Sequence, residues 1–262
     1  MIKILILIIL LYCYFLYKRR DGFTLKNEES VVKIDNAIMD SFYRKLYDEL
    51  YDMKPIHKKE LNLIKPYIQT ENRVLCLSCR NGTMVQLCSE ICESEGMETS
   101  SSMIEYCEDT YPHLRFKYGY MNNIHLYSAN CFTHIISPCL NIHLQDNLSI
   151  FFKNTYQWLI HNGYLFISYF KDIQDIYHMI NHNPSFLFGN NYTFNIEINR
   201  RYGDSTMVEI IHKHNDIKRK NIWNYKTIDL NILNYEAKKE GFEYINEYKD
   251  GFIKMVIFRK KY

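Results

Sequence analysis

Glycine and proline are scarce in this chain, with nine and five among 262 residues. That scarcity excludes collagen-like, flexible-linker and proline-rich disordered chains, and no internal period marks a repeat array. An excess of charge of one sign is lacking too. The 32 Lys and Arg against 30 Asp and Glu leave a net charge of +2, which gives no electrostatic footprint for nucleic acid. What is abundant is aromatic: 23 Tyr and 15 Phe. With 47% hydrophobic residues, the chain is long enough for one large core.

The segment Ile4 to Tyr17 carries no charge and is closed by Lys18-Arg19-Arg20. It is shorter than the ~20 residues of an ordinary membrane span. A secretory leader carries its charge before the apolar run and small residues at a cleavage site after it; here the charge follows and Tyr17-Lys18-Arg19-Arg20 offers no such site. We therefore expect a short uncleaved transmembrane helix that tilts, snorkels and thins the bilayer locally. A cleaved leader or a buried first helix are the alternatives. Lys18, Arg19, Arg20 and Lys26 follow the segment against Lys3 before it, so the positive-inside rule puts a single-pass protein's globular part on the cytoplasmic side. The eight cysteines agree: Cys13 lies in the apolar segment, and an odd, clustered set of seven remains, which points to reduced thiols. The expected organisation is an anchor at 1–20, a polar tether at 21–35 and a folded domain at 36–262.

Within that domain, apolar residues at helical spacing predict helices over Asn36–Tyr51 and His57–Tyr67. A strand over Arg73–Cys79 then runs through a tight loop to Gly82 and a helix to about Ser94. Strands at Leu114–Tyr118, Cys131–Cys139 and Gly163–Phe170 alternate with helices at Asp146–His161 and Asp172–Asn181. Ile150, Phe151, Tyr156 and Leu159 are expected inward on the first of these, with Asn162-Gly163 at its end. Such alternation implies parallel strands with helices on both faces. After Pro184 the pattern changes to a hairpin, Thr193–Arg200 and Thr206–His214 around Tyr202-Gly203-Asp204. A helix over Ile228–Lys239 ends at Gly241, and a last hairpin, Phe242–Tyr248 and Phe252–Arg259, turns at Asp250-Gly251.

The stretch Arg73-Val-Leu-Cys-Leu-Ser-Cys-Arg-Asn-Gly82 is the most informative, a buried strand entering a turn that opens a helix. With the order of elements and several short matches, it resembles the class I S-adenosylmethionine-dependent methyltransferases. Val74–Gly82 stands where that family has its glycine-rich motif. Gly96-Met-Glu-Thr-Ser-Ser-Ser-Met103 is similar to the end of its second strand and the turn after it, and Phe116-Lys-Tyr-Gly-Tyr-Met121 to its Gly-Asp-Ala region. Phe132-Thr-His-Ile-Ile-Ser137 resembles the fourth strand, Trp158-Leu-Ile-His-Asn-Gly-Tyr164 the turn into the fifth. Glu240-Gly-Phe242 and Phe258-Arg-Lys260 resemble the final hairpin, and Phe42-Tyr-Arg-Lys-Leu-Tyr-Asp48 a lid helix. The resemblance covers residues 36 to 262. It implies a Rossmann-like α/β fold, a central mostly parallel sheet with helices on both faces and an antiparallel C-terminal hairpin.

It also implies a site. Such a turn takes an acid on the strand and spaced glycines, which allow positive φ and close approach of the backbone to a ligand. Here the acid's position holds Cys76, the first two glycine positions hold Ser78 and Arg80, and Gly82 remains. Arg80 either pairs with the cofactor carboxylate or fills the pocket. By the resemblance Glu98 accepts from the ribose hydroxyls, Thr99 follows it, Tyr120 replaces the acid that reads the adenine amino group, Met121 packs on the adenine, and Ser137 ends the strand facing the methyl group. His143 lies close enough in sequence to act near a substrate or to be structural. S-adenosylmethionine is the implied cofactor, and the acceptor is a small molecule, lipid or protein near a membrane, with no nucleic acid expected.

Two other patterns compete. Cys76-x2-Cys79 and Cys88-x3-Cys92 have the residue types of a zinc site, yet Cys76 sits in an apolar strand where free cysteine is a small buried hydrophobe. Lys213 to Lys220, beside Trp223 and Tyr225, reads as a solvated basic loop, with a membrane-surface contact or a nucleic-acid contact as the alternatives. Two function classes follow: a methyltransferase, motivated by Glu98 and the layout, and a non-catalytic binding or scaffold module, motivated by the losses at Cys76, Ser78, Arg80 and Tyr120.

Overall fold

The computed structural model describes residues 30–170, 172, 174–175, 191–201, 204–214 and 216–261. The chain divides at Val31/Val32. The expected anchor, nearly all of the tether, most of the helix at Asp172–Asn181 and the Tyr202-Gly203 turn lie outside the described residues. Among the described residues no helix is long and apolar enough to cross a membrane.

The central sheet has seven strands. In chain order they are β2 (Arg73–Leu77), β3 (Glu93–Glu98), β4 (Arg115–Tyr118), β5 (Phe132–Ser137), β6 (Leu159–Tyr169), β10 (Phe242–Asp250) and β11 (Ile253–Lys260), and their spatial order is β10-β11-β6-β5-β2-β3-β4. The pairs among β2 to β6 are parallel and those of β11 antiparallel. Strand β2 lies in the middle, and its run Val74–Leu77 is wholly buried, as a strand covered on both faces requires. Alternate side chains go to opposite faces. Leu75 and Leu77 join Phe132, Phe151, Trp158 and Leu165 on one, while Val74 and Cys76 join Ile64, Val85, Cys88 and Phe166 on the other. Helices α5 (Leu148–Trp158) and α6 (Leu230–Lys239) cover the first face, α2 (Met53–Ile64) and α3 (Thr83–Ser89) the second. Gly96 is required in mid-strand, because a β-carbon there would stand 2.7 Å from Cys79 Sγ and 2.8 Å from the Phe116 ring.

A second sheet of four strands, in the order β1-β9-β8-β7, is built from β1 (Val31–Ile34), β7 (Thr193–Arg201), β8 (Asp204–Lys213) and β9 (Asp216–Lys226). Helix α1 (Ser41–Leu50) packs on it, with Tyr43, Leu46, Tyr47 and Leu50 against Met207, Ile211, Trp223 and Tyr225. Polar bonds fix the contact. Arg219, 3% exposed, holds Asp40 by two bonds (2.7 and 2.9 Å) and also donates to the Ile38 carbonyl and Asn221. The carboxylate of Glu209, fully buried, accepts from Tyr43 (2.6 Å), Tyr51 and Asn221 (2.8 Å).

Several expectations are corrected. Val31–Ile34 is a strand, where a tether was expected. The helix after Gly82 stops at Ser89, since Glu93–Glu98 is needed as the sheet's next strand. The helix at 146–161 ends at Trp158, and Leu159 already belongs to β6; Asn162 takes φ +60° inside that strand, so Asn162-Gly163 is no helix end. Ile150 faces outward. The basic run is no loop. Its residues from Asp216 on form β9, and Trp223 and Tyr225 are buried at 3% exposure.

Candidate active site

Strand order places a crevice before any side chain is considered. From β2 the chain runs outward to β3 and β4, then crosses back to β5 and β6 on the other side. At such a reversal the loops leaving the strand ends part, and ligands bind there. A cleft of about 180 Å³ opens at this point. It is lined by Ser78 and Arg80 after β2, Thr99 after β3, Tyr120 and Met121 after β4, and the segment from Asn141 to Phe151 after β5. Five of the eight sequence-derived residues are thus brought together: Ser78, Arg80, Thr99, Tyr120 and Met121. The space is below the ~300–1,000 Å³ usual for small-molecule sites, so a ligand's entry requires side chains such as Arg80 and Tyr120 to give way.

The turn after β2 holds positive φ at Ser78 (+46°), Arg80 (+51°) and Gly82 (+77°). Only glycine adopts that region freely; each other residue is strained by roughly 1–2 kcal/mol. The strain is held by a ring of bonds. Glu98 Oε2 accepts from the Arg80 amide (2.9 Å), and Oε1 accepts from the Thr99 and Ser100 amides (2.8 and 3.2 Å) and from the Thr99 hydroxyl (3.2 Å). The Cys107 thiol, on helix α4 (Ser101–Thr110), donates to the Arg80 carbonyl (3.1 Å), and Asn81 donates to Asp48 of α1 (2.6 Å).

The other three expected residues lie apart from the cleft wall. Glu98 is 0% exposed, its oxygens turned to the turn's own amides. Gly82 faces Cys107 and Tyr111, with space for no β-carbon beyond 3.1 Å. Ser137 is buried and accepts from Asn141 (2.9 Å). Tyr120 is exposed, its hydroxyl 2.9 Å from that of Tyr118. The Met121 carbonyl accepts from Asn154 (2.6 Å), which ties its loop to α5.

Arg80 extends toward the second sheet, its guanidinium 5.8 Å from the centre of the Trp223 ring. Burial disfavours its charge, but the Glu98 carboxylate and the phenols of Tyr47, Tyr225 and Tyr43 more than offset this, and its pKa is raised. Among the described residues the guanidinium has no ion pair and no hydrogen bond. Sequence reasoning missed the aromatic frame around it, because Trp223 and Tyr225 sat beside what read as a basic loop.

His143 is a structural residue. Its Nδ1 donates to the Lys226 carbonyl (2.8 Å), which leaves Nε2 as the acceptor of the Phe170 amide (3.1 Å). Its ring stacks on Phe170, and burial lowers its pKa to about 4. The described cysteines are free thiols, five of them buried and Cys131 and Cys139 half-buried; the Cys76 thiol is hydrogen-bonded to that of Cys88, and that of Cys79 to that of Cys107. Among the described residues no group of three or more His, Cys, Asp or Glu is placed to hold a metal.

No family model and no curated protein sequence matches the chain. Solved structures do. An S-adenosylmethionine-dependent methyltransferase from Clostridium acetobutylicum superposes with a TM-score of 0.63 at 11% identity, covering 84% of this chain and 97% of that one. The chain has the class I methyltransferase fold. An amino pentose methyltransferase from Micromonospora echinaspora, solved with S-adenosylmethionine bound, matches with a TM-score of 0.58 at 12% identity over 80% of this chain and 91% of its own. A sugar N-methyltransferase from a Streptoalloteichus species matches with a TM-score of 0.55 at 11% identity over 95% of this chain and 93% of its own.

Proposed function

We propose that this chain is an S-adenosylmethionine-dependent methyltransferase of a small-molecule acceptor, held to a membrane by residues 1–20 with the folded domain on the cytoplasmic side. One observation carries the reading: Ser78 and Arg80 keep the strained positive φ of a ligand-approaching turn at the edge of the crevice, though neither is glycine. The cleft walls suit the cofactor at both ends. Met121, Ile150 and Phe151 offer apolar surface for a flat base, and Arg80 offers a cation for a carboxylate. The middle suits it less, because Glu98 is turned inward and the ribose is left to Thr99 and neighbouring polar groups. The cofactor would supply a methyl group on a cationic sulfur. The chain's task is then alignment and exclusion of water. The small-molecule acceptor is supported by the amino pentose and sugar enzymes that share the fold, and the anchor by the uncharged Ile4–Tyr17 segment and the basic cluster after it.

A second reading, a non-catalytic binding module, is favoured by the complete burial of Glu98. Calorimetric titration of the detergent-solubilised full chain with S-adenosylmethionine and S-adenosylhomocysteine separates the two. Micromolar binding of both supports the enzyme; a folded chain that binds neither supports the module.

A further inference from the structure

The basic run from Lys213 to Lys220 serves neither the cleft nor the core. Strand β9 turns Arg219, Asn221, Trp223 and Tyr225 inward, where all four are buried. Lys220 and Ile222 therefore stand on the opposite face of the second sheet, and Lys218 is the extra residue of a bulge beside them. On β1, Lys33 reaches Asp40 at the start of α1 (3.7 Å), which leaves Val32 and Ile34 on the outer side. Among the described residues the three most exposed large aliphatic side chains are Val32 (53%), Ile34 (51%) and Ile217 (47%). All three belong to β1 and β9, which are neighbours in the sheet.

Charge is divided in the same way. The four strands of the second sheet carry eight Lys and Arg against four Asp and Glu, whereas the rest of residues 35–262 carries 19 against 23. Of the acids, Glu209 is buried, Asp204 and Asp216 begin their strands, and Glu197 lies on β7, the edge farthest from β1. Asp35, just after β1, is held by the amide and side chain of Asn224 (2.8 and 3.0 Å). Exposed aliphatic residues on a sheet edge call for a partner, and lysines beside them call for an anionic one.

The chain that precedes β1 decides which. Eleven residues separate Arg20 from Val32, a reach of no more than about 40 Å when fully extended. With Ile4–Tyr17 in a bilayer, β1 stays within that distance of its surface. Lysines suit anionic headgroups, and aliphatic side chains suit the boundary beneath them. A single-stranded nucleic acid stacks its bases on aromatic rings, and Trp223 and Tyr225 lie on the buried side.

We propose that the outer side of β1 and β9 rests on the anionic surface of the membrane that anchors the chain. The inference extends the membrane reading above from the first residues to the folded domain and rests on it for the choice of partner.

The test is hydrogen exchange of the full chain in lipid nanodiscs of phosphatidylcholine alone or with phosphatidylserine. Amides of β1 and β9 should exchange about fivefold or more slowly in the phosphatidylserine discs, while those of the wholly buried β2 stay unchanged. The added protection should vanish in Lys218→Glu/Lys220→Glu at an unchanged melting temperature. It should also vanish in the wild type at about 1 M salt, where the Debye length is about 3 Å; this arm does not depend on how the variant folds. Equal exchange in the two discs, or protection that survives both the salt and the double variant, overturns the inference and leaves the anchor standing. A chain that fails to enter discs, yet is protected at β1 and β9 by added phosphatidylserine vesicles, overturns the anchor and keeps the contact. Protection by single-stranded RNA without protection by phosphatidylserine overturns the contact in favour of nucleic acid.

Discussion

Replacing Ser78 by glycine should stabilise this protein, although glycine substitutions ordinarily do the reverse. Ser78 holds φ +46°, and among the described residues its hydroxyl has no hydrogen-bond partner to lose. Releasing a left-handed L-residue is worth about 1–2 kcal/mol. Against it stands the greater freedom of glycine in the unfolded chain, about 0.4–1 kcal/mol. The balance is about 0–1.6 kcal/mol in favour of the variant, a rise in melting temperature of up to about 6 °C for a domain of this size. Gly96→Ala provides the opposite control. Its β-carbon would meet Cys79 Sγ at 2.7 Å and the Phe116 ring at 2.8 Å, so overpacking should cost about 1–3 kcal/mol. Both are read by thermal and urea unfolding of the full chain in detergent. A Ser78→Gly variant that melts more than about 2 °C below the wild type would show that the turn is unstrained, and the reasoning built on its backbone would fall.

Other expectations concern the elements that hold the site. Glu98→Gln presents an amide to N–H donors that now face carboxylate oxygens; it should cost about 1–3 kcal/mol and speed hydrogen exchange at the Arg80 and Thr99 amides, and unchanged exchange there would refute its role as the turn's clamp. Arg219→Met removes the donors of the buried Ile38 carbonyl and Asn221 and one of the two cations beside Asp40, and should lower stability by about 1–3 kcal/mol in urea titration. His134 and His143 are both held neutral by burial, each with its pKa lowered from 6.5 to about 4. A base with a depressed folded pKa binds its proton first in the unfolded chain, so stability should fall as pH drops from about 6.5 toward 4, by about 3 kcal/mol for each. The His134 ring stacks on Tyr164 and Phe166 and its Nδ1 lies 2.8 Å from the Thr133 hydroxyl, so His134→Phe should remove its share of that slope at a cost of about 1 kcal/mol at pH 7 for the lost hydrogen bond; an undiminished slope would exclude His134 as a source.

The central sheet was legible because its strands are wrapped on both faces, and burial of that kind writes itself as unbroken apolar runs. Arg73–Leu77 and Phe132–Ser137 were readable for that reason, and the C-terminal hairpin from its Asp250-Gly251 turn. Strand β9 was not. Its buried positions are Arg219, Asn221, Trp223 and Tyr225, two of them polar, so the alternation that marks a strand was present in burial and absent in hydropathy. Arg219 can be buried only because Asp40 and the Ile38 carbonyl, some 180 residues earlier in the chain, supply its acceptors. No local pattern contains that information. The helix ends were misplaced for a related reason: Glu93 and Leu159 enter strands because neighbouring strands pair with them.

The turn itself shows why a motif that looks eroded in sequence is not relaxed in structure. If Ser78 and Arg80 had replaced glycines in a loop free to move, the backbone would have left the left-handed region and shed the strain. It stays there, and the groups that hold it come from three directions: Glu98 from β3, Cys107 from α4 and Asp48 through Asn81 from α1. Glu98, the residue whose type best matched the resemblance, serves this scaffold with both oxygens. The consequence is a division of labour unlike the one its motif implies. The Glu98 carboxylate shapes the turn, and the Arg80 side chain is what the turn brings to the cleft wall.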